Sequence, residues 1–111
     1  MSKYHSKPVE YDGIRFDSIA EYGRYTDLKR LEQEGEITDL QVHPRYMLQE
    51  AFTRPDGGRE AQITYVGDFQ YVEHGKTIVE DVKGVRTEVY KIKRKLFLAR
   101  YPEIKFMEVK A

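Results

Sequence analysis

The sequence predicts one domain of the α/β class, with two helices packed on a mixed sheet, and three observations carry that expectation. Two runs, over residues 18–34 and 87–101, combine helical spacing with helix caps. Shorter runs rich in Val, Ile, Tyr and Phe are separated by Asp-Gly, His-Gly and Pro-Asp-Gly-Gly turns. Their order is hairpin, helix, three strands, helix, strand. A strand that returns to its sheet after a helix lies parallel to the strand before that helix.

Residues 1–8 are polar and basic around a lone His5 and read as a flexible N-terminal arm, leaving 9–111 as a single domain. Val9-Glu-Tyr11 and Ile14-Arg-Phe16 flank Asp12-Gly13, a strong two-residue hairpin signal. Helix one opens at Ser18, where Ser18-Ile-Ala-Glu21 matches a capping box. It closes before Gly35, which suits the left-handed residue past a helix end. At about 100° per residue, Ala20, Glu21, Arg24, Tyr25, Leu28 and Leu31 share one stripe. Two charged residues therefore lie in the face that should be buried. Capping accounts for Glu21 in part and leaves Arg24 unexplained.

Glu36 to Pro44 reads as a connector, with His43 extended because a proline follows it. It leads into a strand at Arg45-Tyr-Met-Leu-Gln49. The turn cluster Arg54 to Gly58 joins that strand to Ile63–Tyr71, which holds Asp68, and His74-Gly75-Lys76 turns the chain back into Thr77–Gly84. Three strands so joined make an antiparallel meander. Helix two is capped by Thr87 and stopped by Pro102; its apolar stripe is read as Val89, Ile92, Leu96, Phe97 and Ala99, with Lys93 inside it. Ile104 to Val109 is the last strand, expected parallel to Thr77–Gly84.

Composition narrows the function classes. Lys and Arg number 19 and Asp and Glu 19, so net charge gives no global support for nucleic-acid binding and any such case must rest on local distribution. The absence of cysteine excludes a disulfide framework and thiolate-bound zinc. With no apolar run long enough to span a bilayer and no leader-like start, no membrane partner is expected, and the expected home is the cytoplasm. From Lys83 to Arg100 there are seven basic residues and one acid, Glu88, so the neutral average hides a basic segment.

That segment follows the most informative stretch, Thr77-Ile-Val-Glu-Asp-Val-Lys-Gly84. Side chains alternate along a strand, so Asp81 and Lys83 share one face while Glu80 shares the other with Ile78 and Val82. A second acid, Asp68, interrupts the preceding strand. Adjacent strands that each present an acid, with a lysine two residues after the second, suit a divalent cation and a water beside a phosphodiester. A glutamate that both caps helix one and leans over a metal site would explain Glu21 in the buried stripe.

The order helix, three strands, helix, strand, with its Asp-x-Lys ending, resembles the PD-(D/E)XK nuclease superfamily, whose core is restriction-endonuclease-like. Phe16-Asp-Ser18-x-x-Glu21, Ile63-x-Tyr-x-x-Asp68-Phe-x-Tyr71, Val79-Glu-Asp-Val-Lys-Gly84, Thr87-x-x-Tyr90-Lys and Lys95-Leu-Phe97 are similar to a group of small phage and prophage proteins within it. The likeness runs from Tyr11 to Val109. One departure stands out: this chain has His43-Pro44 where those proteins usually have Gln-Pro.

The resemblance implies that Asp68 and Asp81, completed by Glu21, ligate Mg²⁺ or Mn²⁺, and that Lys83 positions or deprotonates the attacking water. An unperturbed lysine pKa of about 10.4 makes electrostatic stabilisation at least as good a role for it. Glu80, His43 and Lys93 are secondary candidates. Lys91, Arg94, Lys95 and Arg86 are expected to meet DNA phosphates. The expected activity is metal-dependent endonucleolytic cleavage of branched or otherwise structured phage DNA, in the bacterial host cytoplasm if the chain is phage-encoded. A homodimer would bring two sites to two strands. The competing reading is a non-catalytic DNA-binding or regulatory subunit on the same fold.

Overall fold

The computed structural model describes residues 8–111, so the expected arm, His5 included, lies outside the described residues except for Pro8. The elements are β1 (Val9–Tyr11), β2 (Ile14–Phe16), α1 (Ile19–Gln33), β3 (Thr38–Val42), β4 (Arg45–Gln49), β5 (Phe52–Thr53), β6 (Arg59–Glu60), β7 (Ile63–Val66), β8 (Phe69–Glu73), β9 (Lys76–Lys83), α2 (Glu88–Arg100) and β10 (Lys105–Lys110). The fold is mixed α+β. Its principal sheet has the order β10-β9-β8-β3, with β10 parallel to β9 and the other pairs antiparallel.

The local signals act as their chemistry dictates. Asp12 and Gly13 both take positive φ, 56° and 75°, which closes the β1–β2 hairpin. Ser18 caps α1 by accepting from the Glu21 amide at 3.0 Å. At the other end Gly35 lies at φ 79°, while Glu36 N–H donates to Leu31 O at 2.9 Å and Gly35 N–H to Glu32 O at 3.1 Å, the paired bonds of a Schellman close.

The strand between the helices departs from the expected meander. The connector read over 36–44 contains β3, an edge strand of the main sheet, whereas β4 pairs with β7 outside that sheet. Nor is Ile63–Tyr71 one strand: it breaks at Gly67-Asp68. The partner ribbon breaks opposite, at His43-Pro44, so that β3 pairs β8 up to Val42↔Phe69 and β4 resumes with β7 at Arg45↔Val66. Two neighbouring strands thus bend together. His43 is not extended; it sits at φ 56°, a left-handed conformation that costs a non-glycine residue about 1–3 kcal/mol. Gly67 is buried at the facing bend, where a side chain would meet Val79 Cγ1 at 3.1 Å and Pro44 Cγ at 3.5 Å. The local preference of a pre-proline residue has yielded to tertiary pairing.

Two cores lie on opposite faces of β9. Ile78 packs with Phe16, Tyr25, Leu28, Ile37, Phe69 and Tyr71 beneath α1, and its neighbour Val79 packs with Leu48, Tyr65, Tyr90 and Phe97 beneath α2. Phe97 is the centre of the second core, with the rings of Tyr46, Tyr65, Tyr101 and Phe106 within 5.8 Å centroid to centroid. The stripe expected to bury α2 is therefore displaced. Val89, Ile92 and Leu96 are 63%, 61% and 41% exposed and Ala99 is exposed, while Tyr90 and Phe97 face inward. Seven-residue spacing of aromatic rings, not the aliphatic residues, marks the buried side.

Candidate metal centre

β9 divides its charges between the two faces as alternation requires. On the α1 side, Glu80 is fully buried and accepts from Arg24 Nε and Nη2, each at 2.7 Å, and from the Tyr71 hydroxyl. The Glu80 carboxylate holds the Arg24 guanidinium well above its ordinary range. This answers why a charged residue sits in the stripe of α1: Arg24 neutralises a buried carboxylate across the helix–sheet interface. Both oxygens of Glu80 are thereby occupied, which removes it from the secondary metal candidates.

On the other face, Asp81 is 2% exposed. Its Oδ2 accepts from the Tyr65 hydroxyl. Burial first, and then the Asp81 charge, raises the Tyr65 phenol, so it remains a donor. Oδ1 forms an ion pair with Lys83 Nζ at 3.1 Å and accepts no hydrogen bond. The Lys83 ammonium sits 4.3 Å from the centre of the Tyr90 ring.

Asp68 occupies the strand break. Its amide donates to Glu80 O at 3.0 Å, and its Oδ2 accepts from the Val82 amide at 2.6 Å, so its carboxylate is pinned across the end of β9. Burial pushes Asp68 up to about 8, helped by the negative charges of Asp81 and then Glu21. Glu21, 3% exposed, reaches the same place from the first turn of α1. Its Oε2 accepts from the Asp17 amide at 3.3 Å, a loose form of the capping box, and its Oε1 is 2.8 Å from His43 Nε2.

Glu21, His43 and Asp68 each offer a ligand atom, and those atoms lie within 4.8 Å of one another. Asp81 does not join that cluster, so the expected trio of Glu21, Asp68 and Asp81 is replaced at ligand distance by one in which His43 takes the third place. Asp81 stands beside it, coupled to Asp68 through charge. A cleft of about 580 Å³ lined by Glu21, Asp68, Val82, Lys83 and Thr87 meets a second of about 290 Å³ lined by Asp81, Lys83, Thr87, Tyr90 and Lys93. Lys83 and Thr87 belong to both.

A model of the family described as "Protein of unknown function (DUF1064)" matches residues 1–111. The chain belongs to the DUF1064 family. No curated protein matches the sequence. In this DUF1064 chain, Glu21, His43 and Asp68 meet where the strands bend, and Asp81 and Lys83 form an ion pair beside them. Two carboxylates and an imidazole at ligand distance from one another fit a divalent cation such as Mn²⁺.

The basic residues expected to meet phosphate are unequal. Arg86 and Arg94 approach Glu108 at 3.4 and 3.6 Å, Glu108 also accepts from the Tyr90 hydroxyl at 2.5 Å, and Lys91 pairs with Glu88 at 3.1 Å. Lys95 is exposed and forms no ion pair among the described residues. Lys93, half-buried, lines the cleft with Asp81 and Lys83, which the other four do not line. Tyr65, whose hydroxyl donates to Asp81, is a residue of the candidate site that the sequence did not single out. The signal was its inward position in the alternation of β7. Among the described residues no helix is long and apolar enough to cross a membrane.

Proposed function

We propose that this protein is a metal-dependent DNA endonuclease of the PD-(D/E)XK kind, acting on branched or otherwise structured DNA. The observation that carries the reading is the buried Asp81 carboxylate, whose Oδ1 accepts no hydrogen bond and meets the Lys83 ammonium at 3.1 Å, one strand from the pinned Asp68 carboxylate. A purely structural Asp81–Lys83 pair would leave the convergence of Glu21, His43 and Asp68 beside it without a reason.

Glu21 and Asp68, with Asp81 beside them, would hold Mg²⁺ or Mn²⁺, which when bound supplies Lewis-acid stabilisation of charge on a phosphodiester and a more acidic water. The chain's own residues do the rest. Asp81 and the Tyr90 ring anchor Lys83 so that its ammonium faces the shared cleft, where it would balance charge on a non-bridging phosphate oxygen as water adds and the P–O bond breaks. Lys93, and beyond it Lys95, would fix the strand through phosphate contacts that read no sequence. The exposed aliphatic face of α2 supports association with a second copy, which would place two sites on one DNA.

The test is cleavage of supercoiled plasmid and of a four-way junction with Mg²⁺, Mn²⁺ or chelator, by wild type and Asp81→Asn. Metal-dependent cleavage lost in the variant, with junction binding retained, is the expected result. Junction binding with no cleavage by wild type under any metal would assign the fold to a non-catalytic DNA-binding or regulatory subunit instead.

A further inference from the structure

We infer that His43 is a direct nitrogen ligand of the metal, and that the centre therefore selects a divalent transition-metal ion over Mg²⁺. The inference rests on the metal-dependent reading above and goes beyond it. Oxygen-only acidic sites hold Mg²⁺ readily, whereas imidazole is a poor ligand for so hard a cation and a good one along the first transition row.

Three independent features place the imidazole in the ligand set. His43 Nε2 and Glu21 Oε1 are 2.8 Å apart, and donors bound about 2.1 Å from a small octahedral ion stand about 3 Å from one another. The His43 amide donates to the carbonyl oxygen of Asp68 at 2.9 Å, so the backbone locks these two residues in register at facing bends. His43 sits at a left-handed φ of 56°, and the Phe16 ring, 6.3 Å from the imidazole between centroids, packs beside it.

A hydrogen-bonded histidine that merely satisfies Glu21 is the plainer account. It accounts for the Glu21 contact and leaves unexplained why Asp68 offers a third ligand atom within 4.8 Å of both, on a bend whose backbone is bonded to that of His43.

The probe is Mn²⁺ itself. Pulsed electron paramagnetic resonance of Mn²⁺ bound to the wild-type chain should show coupling to an imidazole nitrogen, and labelling histidine with ¹⁵N should change that coupling. Calorimetric titration should give Mn²⁺ affinity at least tenfold weaker in His43→Gln, with Mg²⁺ affinity changed less than threefold. Bound Mn²⁺ without nitrogen coupling in wild type overturns the inference and leaves the endonuclease reading intact. This readout needs no variant to fold. Nitrogen-coupled Mn²⁺ on a protein that cuts no DNA supports the inference and overturns the endonuclease. Failure of wild type to bind any divalent ion overturns both.

Discussion

The Val82 amide donates to Asp68 Oδ2 at 2.6 Å, so a carboxylate from the break between β7 and β8 is fastened to the backbone between Asp81 and Lys83. This one bond brings the acid of one strand to the Asp-x-Lys run of the next. It occupies only one oxygen and leaves the other for a ligand.

Asp68→Asn should abolish metal-dependent cleavage and yet stabilise the metal-free chain. The Asp68 carboxyl is raised from 3.8 to about 8 by burial and neighbouring acids. A group raised on folding contributes stability below its unfolded pKa and loses it as pH rises through the folded value. The variant should therefore melt at the wild-type temperature below about pH 4 and above it by several degrees at pH 8, since asparagine keeps the acceptor for Val82. Thermal melts in chelator across that range are the check. Added Mn²⁺ should then raise the wild-type midpoint and leave the variant's unchanged.

Arg24→Ala should cost about 3–5 kcal/mol, because it strands a fully buried carboxylate. Replacing Arg24 and Glu80 together by Met and Leu should recover most of that loss. Urea denaturation of the single and double variants measures both. Cleavage by the stable double variant should match wild type, since Glu80 serves the helix–sheet interface; a double variant that is folded and inactive would return Glu80 to the chemistry.

Lys83→Met should lower single-turnover cleavage about 10²–10³-fold, the usual cost of one preorganised charge-stabilising group. Mn²⁺ binding should be equal or tighter, because the substitution removes a positive charge 3.1 Å from Asp81. Weaker metal binding in this variant would mean that Lys83 organises the ligands rather than the phosphate.

Leu96→Lys should change stability by less than about 0.5 kcal/mol, as substitutions of exposed residues do. Phe97→Ala, one residue on, should cost about 3–5 kcal/mol by emptying the centre of the aromatic core. Sedimentation equilibrium of Leu96→Lys tests the proposed association: a dimer of wild type should become monomeric.

Much of the scaffold was legible. Caps, turns and strand alternation act over a few residues, and Ser18, Thr87, Asp12-Gly13, Gly35 and His74-Gly75 do in the structure what those rules require. Alternation along Thr77–Gly84 likewise separated Glu80 from Asp81 and Lys83. The aliphatic stripe of α2 points outward because the pocket formed by β4, β7, β9 and β10 is lined with rings and takes Tyr90 and Phe97 instead.

Local chemistry in the sequence was enough to decide which side chains point to which face of β9, where the helices begin and end, and that acids and a lysine gather near residue 83. Which acids share one ligand cluster was decided by tertiary structure alone. The bends at His43-Pro44 and Gly67-Asp68 face each other only because β3 pairs with β8 and β4 with β7. That pairing holds His43 in a backbone conformation its own neighbours disfavour. No rule acting along the chain contains it, because the stabilising partner lies on another strand.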